Sequence, residues 1–64
     1  MPGQNGEVYF EFVPIGRQVK VVAIDAASGV EVSIIGPSAA TQRDLESVAL
    51  RKLQKRMADL AGEG

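Results

Sequence analysis

The sequence predicts an α+β fold: a three-stranded antiparallel β-meander packed on one C-terminal helix, in two layers. Three observations predict it. Apolar residues recur at every second position in three consecutive stretches, "EVYFEFVPI" (7–15), "QVKVVAID" (18–25) and "VEVSII" (30–35). Short glycine-containing segments separate these stretches. From residue 42 to about 61 the apolar period lengthens to that of a helix. Period two marks half-buried strands, and a 3.6-residue period marks an amphipathic helix.

Val8, Phe10 and Phe12 alternate with Glu7, Tyr9 and Glu11 in the first strand. In the second, Val19, Val21 and Ala23 alternate with Lys20, Val22 and Ile24. Val30, Val32 and Ile34 share one face of the third. The turns test the register. Gly16-Arg17 suits a two-residue type II′ turn, which pairs Phe12 with Val21 and Phe10 with Ala23. A three-residue loop, Pro14 to Gly16, would turn the first strand over relative to the second. The two-residue turn leaves fewer charges inside and is preferred. In "DAASGV", Gly29 closes a four-residue loop, 26–29, that pairs Asp25 with Val30, Ala23 with Val32 and Val21 with Ile34. Both turns then place one apolar set on one face. Pro14 has no N–H to donate, which suits an edge strand.

Pro37 is expected to interrupt the pairing of the third strand. Thr41 is the expected N-cap of the helix, with Asp44 three residues on. Leu45, Ala49, Leu53, Met57 and Leu60 form its apolar stripe, flanked by Val48 and Leu50. The stripe is expected to cover the sheet face carrying Val8, Phe10, Phe12, Val19, Val21, Val30, Val32 and Ile34. Gly62 is the expected helix stop. The domain thus spans 7–61, with residues 1–6 and 62–64 as flexible tails.

The chain has 64 residues and a formal net charge of −1. So short a chain buries a modest core, and small domains draw on disulfides, metals or oligomerisation. Cysteine and histidine are both absent. That excludes disulfides, the usual zinc ligand sets and the commonest general base near neutral pH. No catalytic, cofactor-binding or metal-ligating residues are expected, and no enzyme activity. Ser28 and Ser38 read as turn formers, and Asp25 as bonding its own turn. Glu7, Glu11 and Glu31 read as solubilising strand positions, because one sheet with one helix offers little cleft to shift a carboxyl. No phosphate-cradling glycine loop is present. The N-terminus lacks a signal-peptide pattern, and no apolar run is long enough to span a membrane, so a cytoplasmic location is expected.

Two surfaces remain as candidates. One helix covers one side of the sheet, so Tyr9, Val13, Val22, Ile24 and Ile35 are expected on the other. This apolar set reads as a surface for a homodimer or an unknown protein partner. Pairing of an edge strand is a second route to the same dimer. The alternative is the run "LRKLQKRM", in which Arg51, Lys52, Lys55 and Arg56 occupy one helix flank. That flank reads as a solvated face or as a site for an anionic partner such as nucleic acid. The like-charge pairs Arg51/Lys55 and Lys52/Arg56 stand at i, i+4, each unfavourable by roughly 0.2–0.5 kcal/mol. Some DNA-binding domains read the major groove with an exposed three-stranded sheet. Here Glu7, Glu11 and Glu31 against Lys20 would repel phosphate from that face.

The string "GEVYFEF…VKVVAID…GVEVSIIGP…LESVALRKL" resembles a family of short uncharacterised α-proteobacterial proteins. The resemblance covers roughly residues 6 to 57, and "VKVVAID" and "EVSIIGP" carry most of it. It implies a bacterial protein of unknown function and supplies no site residues.

Overall fold

The computed structural model describes residues 7–63. Strands β1 (Val8–Ile15), β2 (Gln18–Asp25) and β3 (Glu31–Pro37) precede a helix, α1 (Gln42–Glu63). The strands form one antiparallel sheet in the order β1-β2-β3. This is the expected β-β-β-α architecture. The expected N-terminal tail, residues 1–6, lies outside the described residues, as does Gly64. Gly62 does not stop the helix, which runs on to Glu63. A glycine costs a helix about 1 kcal/mol relative to alanine, and within a last turn that cost does not force an end.

The register is the one the turns imply. Phe12 pairs with Val21, and Phe10 with Ala23. Ala23 pairs with Val32, and Val21 with Ile34. Gly16 has φ +61° and, among the described residues, no non-glycine has positive φ, as a type II′ turn at Gly16-Arg17 requires. In the second turn Gly29 has φ +77°. Its N–H donates to Asp25 O at 2.8 Å, and Asp25 N–H donates to Val30 O at 2.9 Å. The Asp25 carboxylate is buried and accepts from Ser28 N–H at 2.9 Å and from Ser28 Oγ at 2.7 Å. Aspartate here holds its own turn, as its position implied.

Pro37 does not interrupt β3, which pairs through to Pro37 opposite Gln18. The reason is the alternation of antiparallel ladders. On β2 the odd-numbered residues bond β3, as Asp25 does with Val30. Position 37 therefore directs its nitrogen away from β2, where a missing N–H costs no ladder bond. The ladder resumes beyond it, with Ser38 N–H donating to Arg17 O at 2.9 Å. Pro14, paired with Val19, likewise turns its nitrogen to the free side of β1, an edge strand as expected.

Thr41 caps α1. Its Oγ1 accepts from Asp44 N–H at 3.1 Å, and its carbonyl accepts from Leu45 N–H at 3.1 Å. The helix packs on β2 and β3. Val21, Ala23, Leu45, Ala49 and Leu53 form the buried cluster. Met57, Val8, Phe10 and Phe12 pack against it but are only partly buried. The helix thus covers two strands closely and leaves the inner face of β1 half open, where full cover was expected. Val48 is exposed rather than part of the margin of the core.

Gly36 faces this core beside Val19, and a Cβ there would collide with Leu45 Cδ2. Leu45 is itself buried, so it has little room to yield. Gly36→Val is expected to destabilise the fold by about 1–3 kcal/mol through overpacking. Chemical denaturation checks this, and an unchanged midpoint would show that Leu45 relocates freely. At the second turn, Asp25→Ala is expected to lose about 1–3 kcal/mol, because it removes a buried acceptor of two hydrogen bonds. Asp25→Asn should lose less, since its amide oxygen still accepts; the two midpoints compared in one denaturant series decide it.

Candidate interaction surfaces

The face of the sheet opposite α1 is a lattice set by the register. Across the strands its rows run Tyr9–Ile24–Glu31, Glu11–Val22–Ser33, Val13–Lys20–Ile35 and Ile15–Gln18–Pro37. Tyr9 is 55% exposed and Ile35 61%, whereas Val22 is 9% exposed and Ile24 is half-buried. Val22 lies on the central strand, ringed by Glu11, Ser33, Lys20 and Ile24, which shield it. The accessible apolar atoms of this face therefore belong mainly to the edge strands. Tyr9 and Val13 stand on β1, and Ile35 on β3. Ile15, 54% exposed, extends the β1 side of the patch. The sequence carried that signal, because Ile15 continues the odd-numbered series of Tyr9, Glu11 and Val13. Lys20, half-buried at the centre of its row, separates Val13 from Ile35.

The two sheet edges differ. On β3 the even-numbered residues bond β2, so Glu31, Ser33 and Ile35 turn their backbone groups outward. Lys52 reaches from α1 to this edge, and its Nζ donates to Ser33 O at 2.7 Å. A lysine on a free edge blocks further strand addition. On β1 the outward positions are Val8, Phe10, Phe12 and Pro14, by the same alternation. The opposite alternation on β2 is visible at the end of that ladder, where Ala26 N–H donates to Glu7 O at 3.0 Å.

The basic flank is partly engaged within the chain. Lys52 holds the β3 edge, and Lys55 pairs with Asp59 at 3.5 Å across one helical turn. Arg51 and Arg56 are exposed. Lys52, Lys55, Arg56, Asp59 and Val32 line an open hollow of about 190 Å³. Asp59 introduces a negative charge there. The lysine stems and Val32 supply apolar wall, which fits basic side chains lying along an apolar neighbour with their charged ends in water.

Among the described residues no group of three histidine, cysteine, aspartate or glutamate side chains is placed to hold a metal. No described helix is long and apolar enough to cross a membrane. Ser28, the serine nearest a carboxylate, has its hydroxyl engaged by Asp25 and also accepts from Val30 N–H at 3.2 Å, so it completes the turn.

Fold and surfaces together define a small α+β domain whose most distinctive features are backbone edges and apolar faces rather than a cleft. The chain belongs to the family described as "Domain of unknown function (DUF6898)", whose match spans residues 5–60. No curated protein and no solved structure gives a significant match.

The contact of Lys52 with Ser33 makes a prediction about the β3 edge. Lys52→Met keeps the stem and removes the charge. It is expected to shift stability by no more than about 1 kcal/mol, as for other exposed charged contacts. Its expected effect is an earlier onset of aggregation on concentration, read by light scattering. An onset identical to that of the unaltered protein would show that Lys52 does not guard the edge.

Proposed function

We propose that this protein is a non-enzymatic interaction module that completes its core by self-association. The observation that carries this reading is the mismatch between core and surface. Among the described residues the buried cluster holds five side chains, while Tyr9, Ile15 and Ile35 are each more than half exposed. Chains of this length bury a modest core and gain from added burial, and this one has no cysteine with which to reinforce itself. A second copy supplies the missing burial, and a two-fold symmetric pair is the commonest closed arrangement. The surfaces available are the outer sheet face around Tyr9, Val13, Ile24 and Ile35, and the edge strands.

Lack of histidine and cysteine supports the non-enzymatic part of the reading. The basic helix flank supports an anionic partner less well, because Lys52 and Lys55 already have partners within the chain and Asp59 stands among the cations.

Sedimentation equilibrium over a wide concentration range tests self-association. The expected result is a reversible monomer–dimer equilibrium. A strictly monomeric mass at high micromolar concentration would overturn it. Ile24→Lys distinguishes the two surfaces: it weakens the dimer if the outer face is the contact and leaves it nearly unchanged if an edge strand is.

A further inference from the structure

We infer that the self-association surface is the free edge of β1, and that two copies pair antiparallel about a two-fold axis passing between their Phe10 residues. This rests on the self-associating reading above and adds the edge and the register. Three features select β1 over β3. Lys52 occupies the β3 edge at Ser33 O, whereas among the described residues no side chain bonds the outward backbone groups of β1. The helix lies over β2 and β3, so a strand approaching β1 meets no overhanging helix. Val8, Phe10 and Phe12 are only partly buried, although they pack against the core.

The register follows from which backbone groups point outward. In a symmetric antiparallel pair, hydrogen-bonded positions must face outward on both strands. On β1 those are the even-numbered residues, so shifts by one residue set outward groups against groups already bonded to β2. Centring on Glu11 would place the two Glu11 carboxylates directly opposite each other, an unfavourable pair. It would also set Val8 against the partner's Pro14, which has no N–H to give. Centring on Phe12 sets Phe10 against that same proline. Centring on Tyr9 leaves Phe12 without a pairing position inside β1. Centring on Phe10 avoids all of these. Phe10 faces the partner's Phe10, Val8 faces the partner's Phe12, and Pro14 falls beyond the paired stretch. On the outer face Tyr9 then stands opposite the partner's Glu11.

The product is a continuous six-stranded sheet with both helices on one side. Phe10 and Phe12 of the two chains form the floor between the helices. The pairing satisfies the backbone groups of Val8, Phe10 and Phe12 in each copy and buries apolar surface that a monomer leaves open. A second copy fits this edge because β1 read in reverse from Phe10 is its own complement in donors, acceptors and side-chain size.

Cysteine cross-linking tests the register, since the chain has no cysteine of its own. Tyr9→Cys and Glu11→Cys are prepared as separate variants on exposed positions, and circular dichroism verifies that each folds. Each is oxidised mildly, alone and in an equal mixture. Directly opposite, non-hydrogen-bonded residues lie about 4.5 Å apart at Cα, within disulfide reach, while diagonal ones lie about 7–8 Å apart. The expected result is a disulfide between the two variants in the mixture, rising to the statistical share of mixed dimers, with little cross-linking of either alone. Efficient cross-linking of Glu11→Cys alone, or of Tyr9→Cys alone, overturns the Phe10-centred register. A dimer by sedimentation with no cross-link in any sample overturns the Phe10-centred pairing of β1 and leaves self-association standing. A monomer by sedimentation overturns both.

Discussion

The close approach of α1 to the sheet governs the rest of the molecule. It depends on small side chains where the two layers meet. Ala23 on β2 and Ala49 on α1 are both fully buried, and Gly36 on β3 leaves room for Leu45. Small residues let two elements approach closely enough for their larger neighbours, Val21, Leu45 and Leu53, to be buried between them. Larger residues at these positions would lift the helix away and open the little core there is. The turn from Pro37 to Ala40, closed by Ala40 N–H donating to Pro37 O at 3.0 Å, delivers the chain from Gly36 to the Thr41 cap. The helix therefore begins almost on top of β3. Its lateral position is set by that short connection and by the small residues together.

That lateral position makes the two edges unequal. A helix placed over β2 and β3 brings its basic flank to the outer side of β3, where Lys52 finds the outward carbonyl of Ser33. By the 3.6-residue period, Leu50 and Met57 lie on the opposite flank of the apolar stripe and lean toward β1. Both are half-buried, as are Phe10 and Phe12 on the inner face of β1. One edge is thus fenced by charge and the other is bordered by apolar atoms. In the proposed dimer, asymmetry of this kind would direct association to one side of the sheet instead of permitting open-ended growth on both.

Much of the fold was legible because two independent signals agreed. Strand periodicity gave the faces, and the glycines at 16 and 29 gave the turn lengths. Register errors flip whole faces, so only one combination kept Val21 and Ala23 inside with Phe10 and Phe12. The ends of elements were less legible. Pro37 suggests a break because proline lacks a donor, but the nitrogen at that position points to the free edge. Gly62 suggests a stop, yet the last turn tolerates it. The surfaces were legible as faces and not as exposures. Alternation put Val22 among the accessible residues of the outer face, and neighbours on both adjoining strands close it off. The contact of Lys52 with Ser33 had no sequence signal, because it depends on where the helix sits across the sheet, and an apolar stripe defines which side faces inward but not over which strands.

The cluster of like charges at "LRKLQKRM" acquires a partial physical reason from the same geometry. Arg51/Lys55 and Lys52/Arg56 repel weakly in water, by a few tenths of a kcal/mol per pair. Lys55 offsets part of this through Asp59, and Lys52 through the carbonyl of Ser33. Both partners sit on the β3 side of the helix, so the repulsion is relieved where the flank meets the sheet edge. A neutral flank would spare the repulsion but leave outward backbone groups of β3 beside exposed apolar surface, including Ile35 and Val48. An unguarded edge next to apolar side chains is a template for uncontrolled strand addition. Lys52 thus stands at the β3 edge, the place from which a lysine discourages strand addition. The run's arginines, Arg51 and Arg56, remain the members for which the fold itself supplies no such role.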